Sequence, residues 1–361
     1  MIKFLITGYY GFLNSGDDAI LTSMCEDVRD LGLNSKITIL SNNPQETEKE
    51  YKVHATNRFN MISVIKEIKS ADVLLMGGGS LLQDCTSTRS LIYYLAILWL
   101  AKAFGKKTMI YANGIGPIRR RVNRWITKYM LNKVDLITLR EKLSYKELEK
   151  LGVRKPLIKV TADPVFSLKL KPQNLEQIFE QEKIETSKPL VGVLFRPWKN
   201  QEEYSAKMAL ICDYIVRELG MNILFIPMKY PTDLKISNSI SEKMECKSYS
   251  LNNKYDVNTI IEVIGKTRFV LSMRLHALLY AALKNKPMIG YIYDPKVKYF
   301  LEEMNISALE DIESFTVESS IKEIHNILEG YSEIQMEIEK QVDLLKKKAE
   351  DNKKYLMQLI Q

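Results

Sequence analysis

Short β-branched runs alternating with longer amphipathic segments limit how this chain can fold more than any other feature. Strand-like runs occur at Ile2–Thr7, Lys36–Ser41, Asp72–Met76, Thr108–Ala112, Leu136–Leu139 and Ile158–Thr161, with helical patterns such as Asp18 to Leu31 and Leu91 to Ala103 between them. The order predicts a mostly parallel sheet flanked by helices, because parallel neighbours need a long crossover and a helix supplies it. From Leu168 to Pro189 the order lapses; Pro172, Pro189 and a helix-like Asn174 to Gln181 read as a linker. A second alternation follows: strand Leu190–Phe195, helix Ala206–Leu219, strand Asn222–Pro227, helix Asn258–Lys266, strand Phe269–Ser272, helix Leu275–Leu283 and strand Met288–Tyr293. The stretch Ser332 to Gln361 is charged, with Ile338, Val342 and Leu345 at helical spacing.

At 361 residues the chain exceeds what one hydrophobic core usually supports. The fold class predicted is α/β, with an N-terminal Rossmann-like domain over 1–170 and a linker over 171–189. A C-terminal Rossmann-like domain over 190–331 and a C-terminal helix over 332–361 complete it. In such folds ligands sit beyond the carboxyl ends of the strands, so the active site is expected in a cleft between the two halves.

Composition narrows the function classes. Apolar residues at 46% and charged residues at 27% fit a globular chain rather than a disordered one. Cys25, Cys85, Cys212 and Cys246 are scattered without a CxxC pair, which speaks against a disulfide framework or structural zinc and for a reducing, cytoplasmic setting. Met1 leads directly into a strand-like run, with no secretory pattern. The apolar stretch Ser90 to Phe104 is too short to cross a bilayer and reads as a buried helix. A net charge of +8 points to anionic partners, while the basic residues lack the aromatic interleaving of a nucleic-acid binder.

Glycine-rich turns close three strands of the first half: Gly8-Tyr9-Tyr10-Gly11 leading to Asn14-Ser15-Gly16-Asp17-Asp18, then Gly77-Gly78-Gly79-Ser80, then Gly114-Ile115-Gly116-Pro117. A strand that ends in glycine and feeds a helix lets a ligand reach unpaired amides, so Gly78, Gly79 and Gly114 are candidate binding residues. GxGxxG and GxxxxGK[ST] are both absent, which argues against a dinucleotide or P-loop site. Asn14, Asp17 and Asp18 suit a helix cap; one of the two acids could instead serve as base toward a sugar hydroxyl. In the second half Ser272-Met273-Arg274-Leu275-His276-Ala277 follows an apolar strand. There Arg274 offers a bidentate grip on phosphate or carboxylate and His276, one of three histidines, a proton near neutral pH. Arg140 and Arg196 also follow strands and are candidates to complete an anion site, with ion pairing as the plainer reading of each. Asp163 reads as a turn acid that either caps or lines the cleft. No HExxH or Cys/His spacing suggests a metal.

These motifs, in this order and together with Leu81-Leu82-Gln83-Asp84, resemble the polysaccharide pyruvyl transferases, most closely their CsaB-like branch, from Met1 to about Phe300. The resemblance implies a fold like that of GT-B glycosyltransferases and phosphoenolpyruvate as co-substrate, with no cofactor. It implies an N-acetylmannosamine acceptor on an undecaprenyl-diphosphate-linked saccharide of secondary cell-wall polymer synthesis, converted to its 4,6-ketal. Carried over onto this chain, His276 is the acid, Arg274 and Arg140 are anion grips and Asp17 lies near the acceptor. The expected mechanism adds Arg196 to the donor site. The run Arg119-Arg120-Arg121-Val122-Asn123-Arg124-Trp125-Ile126 suggests peripheral contact with the cytoplasmic membrane face, against a plainer reading as a solvated helix start. The rival readings are a nucleotide-sugar glycosyltransferase of the same architecture and a noncatalytic saccharide-binding protein.

Overall fold

In the computed structural model, which describes all residues except Thr86, Ser307 and Ala308, the chain forms two compact units. Met1–Lys169 with Leu345–Gln361 make the first, and Leu170–Leu344 the second. The segment expected as a linker contains a helix, Leu175–Gln181, and belongs to the second unit.

The strands of the first unit are β1 (Ile2–Thr7), β2 (Ser35–Ser41), β3 (His54–Asn57), β4 (Val73–Gly77), β5 (Lys107–Asn113), β6 (Leu136–Leu139) and β7 (Leu157–Val160). Its helices are α1 (Ser15–Asp30), α2 (Pro44–Tyr51), α3 (Met61–Ser70), α4 (Thr88–Ala103), α5 (Arg121–Leu131) and α6 (Lys142–Leu151). All strand pairs are parallel, in the order β3-β2-β1-β4-β5-β6-β7. Central strands such as β4, VLLMG, are buried at every residue because helices cover both faces. The helices α2 and α3, missing from the sequence reading, start on Asn43 and Asn60, whose side chains accept from Glu46 N and Ser63 N. The apolar run read as a buried helix is α4; it packs inward through Leu91, Tyr94, Leu95 and Leu98 but leaves a stripe exposed.

The second unit repeats the plan with β8 (Leu190–Leu194), β9 (Asn222–Phe225), β10 (Ser248–Ser250), β11 (Thr267–Ser272), β12 (Met288–Ile292) and β13 (Leu309–Asp311). Its helices are α7 (Leu175–Gln181), α8 (Gln201–Glu218), α9 (Thr232–Ser241), α10 (Val257–Gly265), α11 (Leu275–Leu283), α12 (Pro295–Glu303) and α13 (Val317–Glu329). The order is β10-β9-β8-β11-β12-β13, again parallel. The terminal helix α14 (Tyr331–Ile360) starts in this unit, and its part from Leu345 onward belongs to the first, where Asn352 accepts from Thr161 Oγ1 at 2.8 Å. Among the described residues no helix is long and apolar enough to cross a membrane.

One buried ionisable pair gives the first unit a pH signature. Asp27, on α1, accepts a hydrogen bond from the Tyr111 hydroxyl of β5, and burial raises its pKa to about 6 despite that bond. The folded state therefore holds a proton that the unfolded state, near 3.9, has released. The stabilisation from this group is complete below the unfolded pKa and is lost as pH rises through about 6. Above neutral pH, Asp27→Asn should raise the unfolding free energy measured by denaturant titration, by roughly 3 kcal/mol at most. That gain should shrink at acid pH; a pH-independent difference would contradict the assignment.

Candidate active site

In both sheets the strand order reverses direction at one place, between β1 and β4 in the first and between β8 and β11 in the second. Parallel strands whose connections diverge leave a crevice at their carboxyl ends. The motifs singled out from sequence follow these strands or their immediate neighbours.

In the first unit the loops after β4 and β5 brace each other. Gly114 N donates to Gly79 O at 3.0 Å, Gly116 N to Leu82 O at 2.8 Å and Asn113 Nδ2 to Gly78 O at 2.6 Å. Gly78 has φ +107°, a conformation that L side chains rarely adopt. A Cβ on Gly114 would stand 2.8 Å from Ser80 Oγ and 3.3 Å from Arg140 Nε, so a larger residue would force the Ser80 side chain to move. Asp84 ends the glycine-rich segment and accepts from Arg119 N, Arg120 N and Asn123 Nδ2 at 2.8, 3.0 and 2.8 Å, closing the start of α5. Burial opposes its ionisation, yet these donors hold its pKa below the ordinary carboxylate value.

Asn14 stands at the N-cap of α1, but its side chain makes no cap hydrogen bond and instead donates to the Asp17 carboxylate. Asp17 is buried, and its Oδ1 would lie 3.1 Å from a Cβ on Gly79 and 3.6 Å from one on Gly78. Asn14, Asp17, Gly78 and Gly79 thus form one cluster. Asp18, half-buried, holds the next position on α1. The sequence reading missed two supports of this cluster. Tyr10 is fully buried and donates to Gly77 O at 2.8 Å. Arg58, just after β3, donates to Gly8 O at 2.6 Å and to Tyr94 Oη at 3.1 Å, with its guanidinium 4.7 Å from the Tyr93 ring centre. Neither has a signal in the sequence, because each works through a loop distant along the chain.

Arg140 is buried between two carboxylates. Its Nε donates to Glu141 and its Nη1 to Asp163, each at 2.9 Å, while Nη2 faces Ser80 Oγ at 3.5 Å. Burial pulls its pKa down, but the charges of Glu141 and Asp163 outweigh burial and hold it above the usual arginine value. Asp163 also accepts from Val165 N at 3.2 Å, so the turn acid both caps and pairs. An anion reaching this cluster would meet only the Nη2 edge of a guanidinium already neutralised by its neighbours.

The second unit gathers its cations differently. Arg274 occupies the N-cap of α11 with extended backbone, its amide donating to Ser272 Oγ at 2.9 Å. Its guanidinium donates to Asp233, which is fully buried at the start of α9 and also accepts from Met228 N and Lys229 N at 3.1 and 2.9 Å. His276 lies in the first turn of α11, half-buried, 6.5 Å from Tyr280 between ring centres. Arg196, after β8, packs its guanidinium 5.1 Å from the Tyr293 ring centre and 5.7 Å from that of Trp198. Among the described residues it has no carboxylate at ion-pair distance, and its buried Nε has no partner. Because β8, β11 and β12 are neighbours, Arg196, Arg274 and the first turn of α12 with Lys296 share one edge of the sheet. Cations at a helix N-terminus, where free amides also point outward, make an anion-binding arrangement.

Residues 14–295 match the polysaccharide pyruvyl transferase family. The chain belongs to that family. It is also 20% identical over 297 residues to the amylovoran biosynthesis protein AmsJ of Erwinia amylovora, covering 77% of this chain and 70% of that protein. Among solved structures, Anabaena HepE in complex with UDP and glucose superposes with a TM-score of 0.66 at 10% identity, covering 100% of this chain and 99% of that one. The UDP-GlcNAc 2-epimerase of Neisseria meningitidis bound to UDP-GlcNAc gives 0.65 at 13% identity, with the same coverage. At such identities the likeness speaks for fold alone. It agrees with the expected α/β, GT-B-like class, here carried by a pyruvyl transferase family member. Among the described residues no group of three or more His, Cys, Asp and Glu could hold a metal ion.

Proposed function

We propose that this chain transfers the pyruvyl group of phosphoenolpyruvate to an N-acetylmannosamine residue of a lipid-linked cell-wall saccharide precursor in the cytoplasm, forming a 4,6-ketal. The observation that carries the donor assignment is the edge of the second unit where Arg196, without a carboxylate partner, stands near Arg274 at the start of α11. Phosphoenolpyruvate offers a phosphate and a carboxylate, and a half-buried guanidinium with no carboxylate at ion-pair distance favours such a ligand over a neutral one.

In this reading Arg274, fixed by Asp233, and Arg196 hold the donor. His276 delivers a proton to the methylene carbon, the central carbon becomes oxocarbenium-like, and a sugar hydroxyl attacks it. Phosphate leaves with the C–O electron pair, and a second hydroxyl closes the ketal. The proton of one hydroxyl restores the one given to the methyl group and that of the other leaves with phosphate, so the step balances without an external oxidant or reductant. Asp17, oriented by Asn14, is the base assigned to the acceptor, with Gly78, Gly79 and Gly114 leaving room for the saccharide.

Calorimetry of phosphoenolpyruvate binding tests the donor site. Arg196→Ala and Arg274→Ala should each weaken binding roughly tenfold or more, the loss expected for charge-assisted hydrogen bonds. Unchanged affinity in both variants would remove the donor from this site.

A further inference from the structure

The outer face of the first unit is unusual for a solvated surface. The crossovers from β3 through β7 advance in one direction across the sheet, so their right-handed connections place α3, α4, α5 and α6 in a single layer on one face. The inner sides of these helices build the core. Their outer sides leave large apolar groups in solvent: Phe59 at 64% exposure, Ile62 at 85%, Val122 at 67% and Trp125 at 68%, with Ile92 and Trp99 on one stripe of α4. Helix starts in a parallel α/β unit lie at the carboxyl ends of the strands. Phe59, Ile62, Ile92, Val122 and Trp125 therefore sit toward that end, the end at which the glycine-rich loops open.

Charge along the stretch of chain that carries this layer is one-sided. Residues 58–155 contain 19 Lys and Arg against 7 Asp and Glu, a net of +12 where the whole chain carries +8. From Arg119 to Lys133 there are six cations and no carboxylate. Arg124 is tied to Glu147, whereas Arg119, Arg120, Arg121 and Lys128 are exposed. Exposed tryptophan and aliphatic groups beside arginines match a surface that is apolar at one depth and anionic at the next. A second copy of the chain would present the same positive face and be repelled.

We propose that this layer, centred on α5, docks on an anionic lipid bilayer. Val122 and Trp125 enter the headgroup region, Arg119, Arg120 and Arg121 meet lipid phosphates, and Phe59, Ile62 and Ile92 extend the contact. The inference stands on the exposure and charge of the first unit and needs neither donor nor acceptor, so its failure would leave the proposed reaction untouched.

The test is sedimentation of the full chain with phosphatidylglycerol vesicles against phosphatidylcholine vesicles, with tryptophan emission followed in parallel. Binding is expected to the anionic vesicles alone, with a blue shift that Trp125→Phe diminishes and release by high salt. Replacing Arg119, Arg120 and Arg121 together by Gln should weaken partitioning on the order of a hundredfold, at about fivefold per arginine. Val122→Ser with Trp125→Ser should weaken it as well; all five sites are exposed, and thermal melts matching the parent chain would establish that the variants fold. Absence of binding to anionic vesicles, or equal binding by both variants, would overturn the proposal. So would a dimer that Trp125→Ser dissociates, or displacement of the vesicles by a nucleic-acid duplex.

Discussion

Replacing His276 with Ala is expected to slow pyruvyl transfer by roughly a hundred- to ten-thousandfold, the span contributed by a positioned general acid. Phosphoenolpyruvate affinity should change little, because the proposed grip lies on Arg274 and Arg196 rather than on the imidazole. That split follows from geometry: His276 is two residues beyond the N-cap of α11, in its first turn, while Arg274 is the N-cap itself, anchored to Ser272 and Asp233. Single-turnover phosphate release measured beside calorimetric binding separates the two contributions. Turnover as fast as in the parent chain would sink the acid assignment, and a loss of binding equal to the loss of rate would recast His276 as a donor-binding residue.

The second large effect is expected at Asp233, which touches no proposed substrate. It is fully buried and holds the Arg274 guanidinium together with two backbone amides, from Met228 and Lys229. Asp233→Ala leaves a cation uncompensated and two donors without an acceptor, so the second unit should lose about 3–5 kcal/mol, the range for breaking one side of a buried pair. Denaturation can be followed through Trp198 in a chain whose Trp99 and Trp125 are replaced by Phe. Asp233→Asn, which keeps the shape and an acceptor oxygen, should lose less stability. Both variants should weaken phosphoenolpyruvate binding, because Arg274 is no longer held toward the start of α11. A stability loss below about 1 kcal/mol for Asp233→Ala would mean that the pair contributes no more than a surface ion pair.

Most of the strands that the sequence predicts are covered on both faces; the exception is β7, an edge strand read from its β-branched run although its residues are half-buried or exposed. Residues such as Val73–Gly77 and Leu190–Leu194 must be apolar throughout, and that run is visible without a structure. The edge strands β3, β10 and β13 escape because an edge is short and has one partner, so HATN, SYS and LED carry no apolar signal. The same contrast divides the candidate site. Arg196, Arg274 and His276 were legible since each directly follows an apolar strand. Asp233 was not, because it sits forty-one residues from Arg274 and only the fold brings them together. For Arg140 the strand-end position was legible, but its enclosure by Glu141 and Asp163 was not. Asn14 looked like a cap and holds the cap position, yet its side chain serves Asp17 instead of the helix amides.

The cations of the second unit are proposed to hold phosphoenolpyruvate. The most direct measurement incubates the purified chain with phosphoenolpyruvate and lipid-linked disaccharides ending in N-acetylmannosamine, in deuterium oxide, and follows phosphate and acceptor mass together. The account predicts one phosphate released per ketal formed, with deuterium in the ketal methyl group. Consumption of a UDP-sugar by the same acceptors, with no phosphate released from phosphoenolpyruvate, would contradict it.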